Sequence, residues 1–148
     1  MQRATAFSLL FLVLACASGG NRRPADVAAP TIAVQQVNPI FFGSGTSAPV
    51  TLDVLVRNNA NVPITVREVE VRSPGMSQYT LLRTSRLFNE AVPAGQTRTL
   101  SLVATAVRGQ TQFRAEEPLQ VSAILRVEAK GKQFREIILG QIAGSGTF

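Results

Sequence analysis

The sequence predicts an all-β protein, an immunoglobulin-like antiparallel β-sandwich of about seven to eight strands behind a cleaved N-terminal signal peptide. Three observations carry this expectation. From Thr31 onward apolar residues recur at every second position, the period of a strand with one buried face. The apolar runs are short and separated by Gly, Pro and Asn clusters. No segment after residue 30 carries a helical period. A closed barrel of similar strand number is the alternative.

The strands follow in order. Ile32, Val34 and Val37 mark the first, and Leu52, Val54 and Val56 alternate with Asp53 and Arg57 in the second. Ile64 and Val66 begin the third, where the phase slips so that Val69 and Val71 become the apolar positions. An extra residue near Arg67-Glu68, a β-bulge, restores one buried face. Tyr79 to Leu82 is a short strand and Arg86 to Val92 another. Thr97 to Val107 is long, with Leu100, Leu102, Ala104 and Ala106 on one face. Leu119, Val121, Ala123, Leu125 and Val127 give the cleanest alternation, and the last strand runs from Gln133 to about Ile142.

The separators have turn chemistry. Asn58-Asn59-Ala60-Asn61, Ser73-Pro74-Gly75, Pro93-Ala94-Gly95 and Ala115-Glu116-Glu117-Pro118 all fall between apolar runs, and Asn and Gly tolerate the left-handed conformations that turns use. Ala129-Lys130-Gly131-Lys132 predicts a tight hairpin between the last two strands.

Ahead of the sandwich, Met1-Gln2-Arg3 precedes an apolar run that ends at Cys16, the single cysteine. A basic leader, an apolar segment and small residues at the boundary form an export signal. The run is too short to span a bilayer, which takes about 20 apolar residues. Val13-Leu14-Ala15-Cys16 resembles the bacterial lipobox, which implies cleavage before Cys16 and a diacylglyceryl group on its thiol. An ordinary signal with an incidental cysteine is the alternative. The expected organisation is therefore a signal peptide at 1–15, a lipidated N-terminus and flexible linker at 16–30, the sandwich at 31–142 and a tail at 143–148. A random tether of that length holds the domain on the order of 20 Å from the membrane. By resemblance to lipoprotein sorting signals, Ala17 favours the outer membrane, facing the periplasm, in an organism with two membranes.

Composition narrows the function classes. The chain has a net charge of +6, nearly all of it arginine spread along the sequence. Without a basic cluster interleaved with aromatics, nucleic acid is not an expected partner. An envelope protein or an anionic polymer is a candidate, with scattered charge serving solubility as the alternative. The domain is expected to be a monomer.

Leu52-Asp53-Val54-Leu55-Val56-Arg57-Asn58-Asn59-Ala60-Asn61-Val62-Pro63-Ile64-Thr65-Val66, together with Val92-Pro93-Ala94-Gly95-Gln96-Thr97, resembles the late-embryogenesis-abundant type 2 family, also called the WHy domain. The resemblance implies a β-sandwich tied to stress tolerance or envelope functions, with no established enzymatic activity and no catalytic residues to transfer.

Catalytic chemistry is restricted by inventory. The chain contains no histidine and one thiol, which removes Ser-His-Asp, Cys-His and His-ligated metal arrangements. Asp53, Glu68, Glu70 and Glu116-Glu117 are spaced as solvated strand faces and a turn, without a pattern that converges them on a glycosidase or calcium site. No enzyme, cofactor or metal is expected. Gly43-Ser44-Gly45-Thr46-Ser47 lacks the lysine and helix of a phosphate loop. The expected site residues are Cys16 for lipidation and the adjacent Phe41 and Phe42 for partner contact. On a strand these two rings point to opposite faces, one inward and one exposed. Burial of both under the following loop is the alternative.

Overall fold

The computed structural model describes residues 22–75, 79–109 and 119–142. Within them the protein is an antiparallel sandwich of eight strands in two four-stranded sheets, and no helix is present. In chain order these are β1 (Thr31–Gln36), β2 (Ser47–Arg57), β3 (Ile64–Arg72), β4 (Tyr79–Leu81), β5 (Thr84–Val92), β6 (Thr97–Arg108), β7 (Leu119–Ala129) and β8 (Lys132–Ile142). One sheet has the order β1-β2-β6-β4 and the other β5-β3-β7-β8. The two sheets remain separate, which settles the barrel alternative in favour of a sandwich. The orders match the immunoglobulin pattern ABED and GFC with one more strand beside C. The short β4 precedes that added strand, β5, in the chain.

Alternation builds the core. β2 contributes Val50, Leu52, Val54 and Val56, and β6 contributes Leu100, Leu102, Ala104 and Ala106. The facing sheet supplies Ile64, Val66, Val69 and Val71 from β3, then Val121, Ala123, Leu125, Val127 and Phe134 from the β7–β8 hairpin. Burying each Val or Leu stabilises the fold by about 1.5–3 kcal/mol before the entropy of ordering is charged against it. The small alanines of β6 lie in the same layer as Tyr79 and Leu81 of β4.

The expected bulge falls at Arg67. Register shifts between Val66 and Glu68 against both neighbouring strands, which is why Val66 and Val69 can both face inward. Opposite it on β5, Asn89 takes a left-handed φ of 56°. The Arg67 guanidinium uses the site as a cross-tie. Its Nε and Nη2 donate to Glu128 Oε2 at 3.0 and 2.8 Å on β7, while Nη1 donates to Asn89 Oδ1 on β5.

The β7–β8 hairpin turns on Lys130 and Gly131 alone, with φ values of 50° and 71°, the doubly left-handed turn that matches strand twist. Ala129 pairs with Lys132, and the register continues unbroken to Leu119 opposite Ile142.

Residues 22–30 correct the expected linker. Val27 is 2% exposed and belongs to the core. Its amide donates to Pro24 O at 3.0 Å, closing a turn. Arg23 pairs with Glu136 on β8 at 2.7 Å, and Asp26 pairs with Lys130 in the hairpin. Asn59 Nδ2 donates to Ala29 O at 2.9 Å and to Thr31 Oγ1 at 2.8 Å, holding the entrance to β1. The packed body therefore starts ahead of Thr31, with this segment lying where β1 and β8 meet.

Candidate functional site

The two ends of the sandwich are built differently. At one end lie the turns 58–63, 93–96 and 130–131 together with Val27. Asn58 organises it, fully buried. Its Nδ2 donates to Val62 O at 2.8 Å and to Val92 O at 2.9 Å, and its Oδ1 accepts from the Ala60 amide at 2.9 Å. Its backbone exchanges bonds with Gln96 O and the Gly95 amide, both 2.9 Å. One side chain thus fastens the β2–β3 turn to the β5–β6 turn, and Gly95 holds a φ of 71° that suits glycine.

The other end carries the segment between β1 and β2 with the aromatic pair. Phe41 and Phe42 lie in an irregular stretch rather than on a strand, which corrects the element the sequence suggested. Their fates still differ. Phe41 is 81% exposed, whereas Phe42 packs against the core. The Phe42 ring lies 6.3 Å from that of Tyr79 at 59°. The Arg108 guanidinium stands over the Phe42 ring, 5.0 Å from its centroid, a cation–π arrangement. Tyr79 donates its hydroxyl hydrogen to Gln36 Oε1 at 2.9 Å, and burial pushes its pKa up to about 12.

The acids are dispersed and committed. Asp53 accepts from Ser101 Oγ at 2.5 Å. Glu68 pairs with Arg126 at 3.1 Å, and Glu70 with Arg83 at 2.7 Å. Hydrogen bonding from Lys130 holds the exposed Asp26 carboxyl below the usual carboxylate range. Among the described residues no three of His, Cys, Asp and Glu are grouped as metal ligands, and no buried side-chain polar atom lacks a partner. Residues 43–46 form a turn in which the Gly45 amide donates to Phe42 O at 2.9 Å, and Ser47 opens β2. Cys16, Glu116 and Glu117 lie outside the described residues.

A feature that the residue-by-residue reading passed over sits on β7 and β8. Arg126 and Arg135 are directly opposite each other, a like-charge pair that costs stability unless something neutralises it. With Gln133 and Phe134 they line an open cavity of about 150 Å³. Arg126 is balanced by Glu68. No hydrogen bond or ion pair engages the Arg135 side chain among the described residues. Beyond Arg135 along the same face of β8 come Ile137 and Leu139, 60% and 76% exposed. The hairpin itself was the available signal, because a two-residue turn at Lys130-Gly131 sets Arg126 against Arg135 by counting outward.

No family model matches the chain, and no curated protein does. Among solved structures it is similar to a protein from Archaeoglobus fulgidus, with TM-score 0.50 and 12% identity, over 76% of this chain and 94% of that one. It is also similar to Northeast Structural Genomics Consortium target SoR45, with TM-score 0.56 and 7% identity, over 86% of this chain and 93% of that one. A β-glucuronidase from glycoside hydrolase family 2 is related only at TM-score 0.39 and 15% identity, over 73% of this chain and 11% of that one. At these identities the likeness is one of fold.

Proposed function

We propose that the chain is a lipid-anchored protein of the cell envelope whose β-sandwich serves as a non-catalytic binding or accessory module. The observation that carries the reading is the apolar run closing at Val13-Leu14-Ala15-Cys16, with the packed body reached at Arg23, seven residues beyond that cysteine. A lipid on Cys16 supplies the attachment. The chain's lack of histidine and the engagement of Asp53, Glu68 and Glu70 by Ser101, Arg126 and Arg83 fit a module that binds rather than catalyses. Exposed Phe41 is a contact residue for an envelope protein in this reading. In an organism with two membranes the outer membrane, on its periplasmic side, is the proposed address, and the domain acts as a monomer.

The test is Cys16→Ser in producing cells. The expected result is loss of acyl mass from the N-terminal peptide and release of folded protein from washed membranes. Retention of the Cys16→Ser protein through the same detergent and salt washes overturns the anchor.

A second reading is a stress-protective protein of the late-embryogenesis-abundant type 2 kind, making weak and broad contacts with membranes or client proteins. What favours it is that Asn58 joins the two sequence stretches on which that resemblance rests. Protection of an unrelated enzyme through drying or freezing, without a stoichiometric crosslinked partner in cells, selects this reading over the accessory module.

A further inference from the structure

We propose that the β8 rim of the sandwich, with Arg126 and Arg135 around their cavity and Ile137 and Leu139 beside it, docks on the anionic phospholipid headgroups of the anchoring membrane. The proposal rests on the lipid-anchor reading and adds to it an orientation.

Two independent observations converge on β8. The first is where the chain enters. The Arg23–Glu136 pair pins the N-terminal segment to the middle of β8, and Cys16 precedes Arg23 by seven residues. Seven residues span at most about 25 Å when fully extended and on the order of 15 Å as a random coil. A lipid at Cys16 therefore keeps the edge where β8 meets β1 within a short reach of the bilayer.

The second is the chemistry of the strand. Arg126 and Arg135 face each other across the hairpin with a single carboxylate, Glu68, between them and neutrality. A phosphodiester in the cavity relieves that repulsion with charge-assisted, fork-shaped hydrogen bonds. The cavity, about 150 Å³ and open to solvent, leaves both guanidinium groups accessible to such a ligand. Next along the strand, exposed Ile137 and Leu139 project from the same face, apolar side chains of the kind that enter the boundary between headgroups and acyl chains. Basic and apolar side chains in succession match the two layers of a lipid surface. The acidic residues of this sheet are each paired with an arginine: Glu68 and Glu70 on β3 with Arg126 and Arg83, Glu128 on β7 with Arg67, Glu136 on β8 with Arg23, and Glu90 on β5 with Arg98.

The chain contains no tryptophan, so a single introduced one reports position without background. The full-length lipidated protein carrying Leu139→Trp, and separately Leu87→Trp on the opposite edge strand β5, is reconstituted in vesicles of phosphatidylcholine alone or with phosphatidylglycerol. The expected result is a blue-shifted emission at position 139, quenched by headgroup-labelled lipid in the phosphatidylglycerol vesicles, and none of this at position 87. Arg135→Gln lowers the docked-to-undocked ratio about fivefold, the factor one arginine contributes near an anionic surface. Circular dichroism of each variant reports that the sandwich is intact.

Equal quenching at 139 and 87, or quenching that ignores phosphatidylglycerol, overturns the docking face. Shielding of position 139 without vesicles, accompanied by a dimer in sedimentation, assigns the rim to a second copy and also overturns it. Flotation with the vesicles and the acyl mass on Cys16 report the anchor separately, so loss of the face and loss of the anchor are distinguishable.

Discussion

Asn58 and Val92 are 34 residues apart in sequence and joined by a buried hydrogen bond of 2.9 Å from the Asn58 Nδ2 group to the Val92 carbonyl. The same amide group serves the Val62 carbonyl, and its oxygen serves the Ala60 amide. Three backbone groups, two in the β2–β3 turn and one at the end of β5, thus depend on one side chain that water does not reach.

Asn58→Ala leaves those groups without partners in a buried site, which costs more than the bonds themselves contribute. The expected loss of stability is about 3 kcal/mol, measured as a shift of the urea midpoint. Asn58→Asp is expected to fall on the same side, because a carboxylate donates to neither carbonyl. An unchanged midpoint for either variant contradicts the role.

Tyr79 predicts a pH dependence. Its pKa rises from 10.0 unfolded to about 12 folded because burial disfavours the phenolate. A raised folded pKa contributes stability that is complete below the unfolded value and is lost as pH climbs from there through the folded value. Stability is therefore expected to decline between pH 10 and 12, by at most about 2.7 kcal/mol from this group at about 1.36 kcal/mol per unit. Tyr79→Phe removes that part of the slope while sacrificing the bond to Gln36. A slope identical in the two proteins excludes Tyr79 as its source.

Phe41 and Phe42 are expected to behave oppositely. Phe42→Ala removes a ring packed on Tyr79 and under Arg108, at a cost of about 2 kcal/mol, less than a fully buried phenylalanine. Phe41→Ser changes stability by less than about 0.5 kcal/mol because the ring is in solvent. Photocrosslinking from position 41 in cells should capture an envelope protein, and capture that is equally strong from an exposed position on β5 argues against a specific contact.

The N-terminal segment separates packing from charge. Val27→Ala is expected to cost about 1.5 kcal/mol through the cavity it leaves. Arg23→Ala, which breaks only a partly exposed ion pair, costs under about 1 kcal/mol. Thermal unfolding of both variants reads the difference, and a larger loss for Arg23→Ala reverses the assignment.

Much of the sandwich was legible because strands with one buried face leave a period of two. The slip at Arg67 could be read from Val66 and Val69 having the wrong spacing for a continuous strand, and the register shift lies at that residue. The 58–61 and 93–95 turns were legible from their residue types, but the bond linking them depends on tertiary proximity that no local pattern encodes. Val27 was missed for a related reason. One valine among alanines and prolines has no period, and its burial follows from where β1 and β8 meet. In Gln133 to Ile142, the run Ile137-Ile138-Leu139 puts apolar residues on both faces, which masks the exposed pair. The placement of Phe41-Phe42 failed because two large rings suggested a strand where the chain makes an irregular connection.

The attachments of residues 22–30 also act as a series of mechanical latches. A pull on the N-terminal side meets the Arg23–Glu136 pair first, then Asp26–Lys130, then the side chain of Val27 in the core. These yield before β1, whose ladder with β2 is loaded only after them. Paying out the nine residues from Arg22 to Pro30 lengthens the leash by at most about 30 Å, less the distance the docked segment already spans, while both sheets stay folded. In single-molecule stretching this is expected as a small step, shorter than about 30 Å, at low force ahead of the main unfolding event, and Val27→Ala should lower the force at which it occurs.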